Sequence, residues 1–201
     1  MNSGLLVVIS GPSGSGKGTI CKRLIEEIEN ISVSVSATTR KPRDGEIDGK
    51  NYFFLDEKEF LKKINNDEFL EYASVYGNYY GTPKKIVLNE LENGKDIILE
   101  IDIQGALKVK ENYPKGVFIF ILPPSLEELK NRIEGRGTDS KEAIRRRLKS
   151  AYDELNYAFQ YDYVVLNDEV DTAVEKIKEI ISAEKNKSAR NQALIRKIKE
   201  V

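Results

Sequence analysis

The sequence has no histidine and a single cysteine among its 201 residues. Without histidine, metal sites built on imidazole and every triad or acid–base scheme that needs it are excluded. One cysteine cannot form a disulfide within the chain, which is typical of proteins from a reducing compartment. Cys21 follows Ile20 in an apolar pattern, and we interpret it as a buried structural thiol.

Long apolar runs and an excess of one charge are also missing. The N-terminal run from Leu5 to Ile9 is far too short for a signal-peptide core or a membrane span, so we expect a cytoplasmic protein. The 32 basic and 33 acidic residues leave a net charge of −1. We therefore expect neither nucleic acid nor a membrane as a partner, and any anion must be bound by local groups of charges.

Strand and helix patterns alternate through most of the chain. Apolar runs followed by helical spacing predict an α/β fold of one domain, with a parallel sheet flanked by helices. The predicted strands are 5–10, 96–102, 117–122 and 163–166, and the predicted helices are 17–29, 105–111, 126–134 and 170–182. Residues 185–201 form a charged tail that we expect to be helical.

The stretch from 32 to 83 has a different pattern. Short alternating and aromatic segments separated by glycines predict a small, partly antiparallel insertion with one helix near 58–65. Helix boundaries are predicted from caps: Thr82 before Pro83, Ser125 before Leu126, and Asp139 with Glu142 for a long helix that ends near Phe159.

A glycine-rich loop between the first strand and the first helix matches the pattern G-x-x-x-x-G-K. Its members are Gly11, Pro12, Ser13, Gly14, Ser15, Gly16, Lys17, Gly18 and Thr19. Backbone N–H groups in such a loop surround phosphate oxygens, and the lysine reaches the β- and γ-phosphates of ATP. Gly18 stands where the pattern has Ser or Thr, so we expect Mg²⁺ to be held mainly by phosphates and water.

A second anion site is predicted around Pro42. Arg40 and Arg43 flank this proline, and guanidinium groups grip a phosphate monoester through paired hydrogen bonds. Tyr52 and Tyr80 add neutral hydroxyl donors. Alone, two such arginines would more often form a solvated basic loop, but beside an intact phosphate loop we favour a second anion site.

Two carboxylates are candidates for base recognition. Glu71, in an aromatic strand, would accept both adjacent N–H groups of guanine, whereas adenine presents an acceptor at N1. Asp102 ends a predicted strand at the carboxyl edge of the sheet, where ligands of open α/β folds bind. It would orient either the guanine or magnesium-bound water.

Arginines crowd one segment around Gly135 and Gly137. They are Arg132, Arg136, Arg145, Arg146 and Arg147. Cations at this position would stabilise the charge of a phosphoryl-transfer transition state, and the glycines predict a hinged lid. The three consecutive arginines cannot all point inward from one helix. No general base is needed, because the attacking atom would be an ionised phosphate oxygen.

Several motifs together resemble the guanylate kinases over about residues 5–181. They include Thr38-Thr39-Arg40-Lys41-Pro42-Arg43, Gly77-Asn78-Tyr79-Tyr80-Gly81, Asp102-Ile103-Gln104-Gly105 and Arg132-Ile133-Glu134-Gly135-Arg136-Gly137. The resemblance implies transfer of a phosphoryl group from ATP to GMP, with Mg²⁺. It implies a core of 1–31, 84–125 and 160–201, a GMP-binding insertion of 32–83 and a lid of 126–159.

The resemblance also assigns roles to single residues. Arg40, Arg43, Tyr52 and Tyr80 would hold the GMP phosphate, and Ser36, Glu71, Thr82 and Asp102 would line the guanine site. Lys17, Arg132, Arg136 and Arg147 would be catalytic, with Arg136 also near ATP and Asn167 near its adenine. Thr19 and Asp102 are candidates for holding the metal through water. The family often has serine where this chain has Thr82, and aspartate where it has Glu100.

Three alternatives stay open at this point. One is another nucleoside monophosphate kinase, which a panel of substrates would distinguish. The second is a kinase-like interaction domain that binds phosphorylated peptides in the same cleft, and the third is a kinase for a phosphorylated sugar. The interaction domain is disfavoured by the presence of Lys17 and the lid arginines. The sequence leaves monomer or homo-oligomer undetermined.

Overall fold

A computed structural model describes residues 3–75, 77–135 and 141–199. Strands and helices alternate along these residues. The elements are β1 Leu6–Ser10, α1 Lys17–Glu27, β2 Ile31–Val33, β3 Ala37–Thr38, β4 Phe53–Phe54, α2 Glu57–Asn65, β5 Phe69–Val75, β6 Asn78–Pro83, α3 Lys84–Glu92, β7 Asp96–Glu100, α4 Ile103–Asn112, β8 Val117–Leu122, α5 Leu126–Glu134, α6 Lys141–Leu155, β9 Tyr163–Leu166, α7 Val170–Lys185 and α8 Gln192–Lys199.

The larger sheet is parallel throughout and has the strand order β2-β7-β1-β8-β9. β1 lies in the middle, with Val8 opposite Leu99 on one side and Phe118 on the other. Every residue of β1 is buried, which explains why its sequence is a continuous apolar run. The predicted α/β fold with a parallel sheet is confirmed.

Both faces of this sheet are covered by helices. Val7 and Ile9 pack with α1 and α7, whereas Leu6 and Val8 point to the opposite face and pack with α3 and α4. Cys21 is buried in the first of these layers, and burial raises the pKa of its thiol, as expected for a structural cysteine.

A smaller mixed sheet carries the residues of the predicted insertion. Its order is β4-β3-β6-β5, with antiparallel pairs except between β3 and β4. The Phe60 ring of α2 stacks on Phe69 at 4.5 Å and on Tyr79 at 5.4 Å between centroids, so α2 packs on this sheet. β2 pairs with β7 in the larger sheet, so the first residues of the stretch 32–83 belong to the core sheet by their hydrogen bonds.

Several helix boundaries differ from the predicted ones. α3 begins at Lys84 with Pro83 as its N-cap, and Thr82 does not cap it, because its hydroxyl is bonded to Glu71 of the neighbouring strand. α4 begins at Ile103, earlier than predicted, because Asp102 accepts a hydrogen bond from the backbone N–H of Gly105.

Other boundaries agree with the sequence. Ser125 caps α5 by accepting from the N–H of Glu128, as predicted. α6 is followed by a 3₁₀ turn, Asn156–Gln160, close to the predicted end at Phe159, and Asp139 lies outside the described residues. The tail 185–201, predicted to be helical, is so only in part: α7 ends at Lys185, residues 186–191 form turns and irregular structure, and α8 covers Gln192–Lys199. Of the helices described, none is both long enough and apolar enough to cross a membrane.

Candidate active site

The glycine-rich loop lies between β1 and α1 at the carboxyl edge of the parallel sheet. Gly11, Gly14 and Gly16 all have positive φ, at 144°, 90° and 94°. A Cβ on Gly11 would lie 2.4 Å from the carbonyl oxygen of Ile121, and one on Gly16 would lie 2.2 Å from Asn167 Nδ2. Both the conformation and the close neighbours therefore require glycine at these positions.

Lys17 folds back over the start of this loop. Its Nζ donates to the carbonyl oxygens of Gly11 at 2.7 Å and Pro12 at 3.1 Å. Burial lowers the pKa of the Lys17 ammonium, while the charge of Glu100 opposes that shift. The loop thus holds a partly desolvated cation against its own backbone, as a polyphosphate site requires.

Asn167 supports the loop from behind. It is 2% exposed, its Nδ2 donates to the carbonyl of Ser15 at 2.7 Å, and its backbone N–H donates to Leu122 at 2.8 Å. The family resemblance implies that Asn167 lies near the adenine of ATP, and that contact stays a prediction. Its observed bonds fix the shape of the phosphate loop.

The helix α5 also contacts the phosphate loop and Asn167. Arg132 donates through Nε to Glu128 at 2.9 Å and through both Nη atoms to the carbonyl of Asn167, at 3.3 and 3.2 Å. A Cβ on Gly14 would lie 3.0 Å from Leu129 Cδ1, so α5 packs directly on the loop. Arg132 is thus brought beside the phosphate loop.

The other predicted lid arginines are only partly described. Arg147 is half-buried on α6, whereas Arg145 and Arg146 are exposed, in line with the expectation that the three cannot all point inward. Arg136 lies outside the described residues, so its predicted roles toward ATP and in catalysis stay predictions.

A second cleft brings together five of the eight predicted GMP-binding residues. Ser36, Tyr52, Glu71, Tyr80 and Asp102 line a cleft of about 220 Å³ together with Glu100. A larger groove of about 820 Å³ runs between α2 and α3 and is lined by none of the predicted site residues. We place the candidate site in the smaller cleft, because predicted GMP-binding residues line it together with Glu100, which lies beside the phosphate loop.

Glu71 and Asp102 converge on the floor of this cleft. A Cβ on Gly105 would lie 3.0 Å from Glu71 Oε2 and 3.3 Å from Asp102 Oδ1, so the missing side chain of Gly105 leaves room for both carboxylates. Asp102 Oδ1 also accepts from the N–H of Gly105 at 2.7 Å. The residue that caps α4 is therefore the same one that faces the cleft.

Glu71 is almost fully buried, with 7% exposure. Burial raises its pKa to about 7, and the charge of Asp102 adds to the increase. The hydroxyl of Thr82, itself fully buried, donates to Glu71 Oε1 at 2.7 Å and opposes the shift together with Lys108. Thr82 thus holds this carboxylate, and its predicted place in the guanine site stays a prediction.

Arg40 is held in a paired arrangement by Glu46. Its Nη1 and Nη2 donate to the two carboxylate oxygens at 2.9 and 2.8 Å, and the guanidinium lies 5.4 Å from the ring centroid of Tyr52. The hydrogen bond to Glu46 raises the pKa of Arg40. Glu46 also accepts from the backbone N–H of Arg43 at 2.7 Å, and the Arg43 side chain is exposed on the same loop.

Glu100 connects the cleft to the phosphate loop. It lines the cleft, and its Oε1 lies 3.4 Å from the position that a Cβ on Gly18 would occupy. Desolvation raises the pKa of Glu100, while the charge of Lys17 lowers it. Thr19 is exposed on the first turn of α1. The cleft that Tyr52 and Tyr80 line is therefore adjacent to the phosphate loop, whereas Arg40 and Arg43 are not among the residues that line it.

Comparison with known proteins agrees with this geometry. The model of the guanylate kinase family matches residues 3–184. The chain belongs to the guanylate kinase family. A guanylate kinase of Caldanaerobacter subterraneus subsp. tengcongensis is 66% identical over 197 residues, which cover 98% of this chain and 96% of that protein. A guanylate kinase of Clostridioides difficile is 55% identical over 201 residues, covering 100% of this chain and 98% of that protein.

A solved structure shows the same fold. The crystal structure of guanylate kinase from Anaplasma phagocytophilum is 39% identical, has a TM-score of 0.75, and is matched over 94% of this chain and 90% of that chain. Membership of the guanylate kinase family confirms the predicted class of enzyme, a nucleoside monophosphate kinase of the phosphate-loop type.

Two residues that contact candidate site residues were given no role by the sequence analysis. Glu46 is one of them, although an acidic residue six positions after Arg40 on the same loop is a signal for the pairing that the structure shows. Gly105 was also given no role, although glycine in the first turn of a helix is unfavourable compared with alanine and so indicates a packing reason.

Proposed function

We propose that this chain transfers the γ-phosphoryl group of ATP to GMP and releases ADP and GDP. The observation that carries the proposal is the convergence of Glu71 and Asp102 at Gly105, in a cleft that Glu100 joins to the phosphate loop. A carboxylate pair at a base site and a phosphate loop beside it are what a kinase of a guanine nucleotide needs.

Guanine would be selected by Glu71. The ionised carboxylate accepts hydrogen bonds from two adjacent N–H groups, and the adjacent Asp102 adds a further acceptor. Adenine would place an acceptor against the same carboxylate and leave a buried charge unpaired. Sites built on such pairing reject the wrong ligand by roughly 10⁴-fold.

The GMP phosphate would bind at the Arg40 loop. Arg40 and Arg43 supply guanidinium donors, and Tyr52 and Tyr80 supply hydroxyls. Burial raises the pKa of Tyr52, so its hydroxyl stays protonated and can donate. Because Glu46 occupies two nitrogens of Arg40, the incoming phosphate would share or replace that partner.

Transfer needs positioning and charge neutralisation. An ionised oxygen of the GMP phosphate forms a bond to the γ-phosphorus while the bond from that phosphorus to the β–γ bridging oxygen breaks, and the electron pair leaves with ADP. The loop amides and Lys17 would hold the ATP phosphates. Arg132, Arg136 and Arg147 would offset the charge on the transferred group.

The residues at the loop fit Mg²⁺ bound with ATP. Among the residues described, no group of three His, Cys, Asp or Glu could hold a metal on its own. Mg²⁺ suits such a site, because it keeps several waters and needs only one or two carboxylates beside phosphates. Glu100 and Asp102 would hold it through water, with Thr19 nearby. Bound there, it would neutralise phosphate charge.

The three-part division is part of this proposal. Residues 1–31, 84–125 and 160–201 would form the core, 32–83 the GMP-binding insertion and 126–159 the lid. The insertion carries seven of the eight proposed GMP ligands, three of them on strands of its mixed sheet, which supports a separate role for it. We also propose a cytoplasmic enzyme, since its substrates are metabolites of that compartment and its single cysteine is buried and unpaired.

The test is a substrate panel. Purified protein would be mixed with ATP, Mg²⁺ and GMP, dGMP, AMP, CMP or UMP, and ADP release would be followed, with Lys17→Ala as the blank. Turnover with GMP and little with AMP is expected. Folded protein that turns over none of them would instead favour a domain that binds phosphorylated peptides in the Arg40–Tyr80 cleft.

A further inference from the structure

The strand that carries Glu71 is an edge strand. β5 pairs with β6 on one side and ends the order β4-β3-β6-β5, and its other side faces α4. The carbonyl of Leu70 accepts from Asn112 Nδ2 at 2.8 Å, and the carbonyl of Tyr72 accepts from Lys108 Nζ at 2.7 Å. Helix side chains thus hold the backbone on both sides of Glu71.

The contacts come from one face of α4. Gly105, Lys108 and Asn112 are spaced by three and four residues, so they lie along the same side of the helix. They meet three consecutive residues of β5, with Gly105 against the Glu71 carboxylate. The orientation of Glu71 therefore depends on how this face of α4 is docked.

Lys108 is the charged member of this face. Its ammonium lies 5.2 Å from the ring centroid of Tyr72, in addition to its bond to the carbonyl of that residue. The other groups that face Glu71 are Asp102 from the start of α4 and the Thr82 hydroxyl from β6. The charge of Lys108 opposes the rise in the pKa of Glu71 that burial and Asp102 cause.

We propose that Lys108 is a positioning residue for guanine recognition, which fixes the Tyr72 carbonyl and so directs the neighbouring Glu71 carboxylate at the base. Lys108 touches no substrate in this scheme and acts through Glu71. The inference rests on the proposed role of Glu71 and extends it to a residue outside the cleft.

The same helix offers a matched control. Lys110 also bonds a backbone carbonyl, that of Gln160 at 2.8 Å, and lies 5.0 Å from an aromatic ring, that of Phe118. It also pairs with Asp162 at 2.8 Å. Its partners belong to the core side of α4, so it does not contact β5. Lys110→Met removes equivalent interactions without reaching Glu71.

The experiment compares GMP with IMP as acceptor. Hypoxanthine lacks the exocyclic amino group of guanine, so the ratio of kcat/KM for GMP to that for IMP reports how well Glu71 meets both donors. Lys108→Met is expected to raise KM for GMP by about threefold to tenfold, to change kcat by less than about twofold and to lower the GMP/IMP ratio. Lys108→Arg should restore part of that ratio.

A second variant tests the same face without removing a charge. Gly105→Ala places a methyl group against the Glu71 carboxylate while favouring the helix, so the GMP/IMP ratio should fall and Tm should hold or rise. Lys110→Met should leave the ratio unchanged even where it lowers Tm.

Either of two results would overturn the proposal. In the first, Lys108→Met keeps the wild-type GMP/IMP ratio, and in the second, Lys110→Met lowers that ratio as much as Lys108→Met does. Failure of the proposed function is distinguished by Glu71→Gln. If that variant keeps the wild-type ratio, Glu71 does not recognise guanine, and the premise fails rather than the role of Lys108.

Discussion

The two loops proposed to bind phosphate are built in different ways. The loop at 11–19 is made of backbone, with three glycines at positive φ fixed by the neighbouring Ile121, Leu129 and Asn167. The loop at 40–46 is made of side chains, with Arg40 paired to Glu46 on a largely exposed segment. The first loop is specified by shape and the second by charge. Changes to the glycines of the first loop should therefore disturb the fold, whereas changes to the side chains of the second loop should disturb only the binding of the ligand.

The lysine of the first loop should give the largest effect on activity. Lys17→Met removes the cation proposed to reach the transferring phosphates, and we expect kcat to fall by about 10²- to 10³-fold. The fold should hold, because a buried apolar chain replaces a partly desolvated ammonium. Steady-state ADP release and thermal unfolding measure the two effects. A kcat within tenfold of wild type would contradict the role of Lys17.

One glycine from each loop can test whether the first loop depends more on its shape than the second. Gly16→Ala combines a φ of 94° with a clash at Asn167 Nδ2, so it should lower the free energy of unfolding by about 3 kcal/mol. Gly45→Ala has a similar φ of 83° but no atom within 4 Å, and should cost about 1 kcal/mol. Urea unfolding measures both. Equal costs would show that the loop at Gly16 has room to adjust.

The arginine loop should respond in affinity alone. Arg40→Lys keeps the charge but removes the paired donors, and we expect KM for GMP to rise about thirtyfold with Tm unchanged. Arg23, whose guanidinium bonds Glu27 on the surface of α1, offers a matched control. Arg23→Lys should alter neither KM nor kcat. A fall in Tm for Arg40→Lys would show that the loop has a structural role as well.

Protonation of Glu71 should give the smallest of these effects. Its pKa is raised to about 7, so the free protein takes up a proton on Glu71 as the pH falls. Binding of GMP then requires that this proton be released. The dissociation constant for GMP should rise about tenfold from pH 8 to pH 6 because of this group. Calorimetry on wild type and Glu71→Gln measures it, since the variant retains only the pH dependence of the ligand. If the dissociation constants of wild type and Glu71→Gln changed with pH in parallel, Glu71 would not be the group whose protonation weakens GMP binding.

The raised pKa of Glu71 also determines how the stability of the folded protein depends on pH. A carboxyl whose pKa is raised in the folded protein contributes stability at low pH that is lost as the pH rises from its unfolded value toward 7. Glu71→Gln should therefore stabilise the protein at pH 8 more than at pH 5, as thermal unfolding at the two pH values would show.

Local patterns were enough for the elements whose neighbours are close in sequence. The buried run of β1 and the glycines after it predicted strand, loop and helix, because each is fixed by its own backbone chemistry. Thr82 shows the limit of such patterns. It has the right residue type for a helix cap, but its hydroxyl is taken by Glu71 from the adjacent strand, a contact that no local pattern contains.

The residues of the candidate site likewise include some that could be predicted from local sequence patterns and some that could not. The residue types of Glu71, Arg40 and Lys17 point to their chemistry, and the cleft brings together five of the predicted GMP-binding residues, Glu71 among them. Lys108 and Glu46 could not be assigned, because their roles depend on which backbone or guanidinium group they meet. Lys108 contacts a residue 36 positions away, and its sequence neighbourhood is that of any exposed helix.

The docking of α4 on β5 also covers one edge of the mixed sheet. An edge strand with open carbonyl groups is a template on which a strand of another molecule can add. Here the outward carbonyls of Leu70 and Tyr72 are occupied by Asn112 and Lys108. The helix face proposed to orient Glu71 thus also covers this edge of the mixed sheet, so loosening it should favour aggregation as well as poorer discrimination between bases.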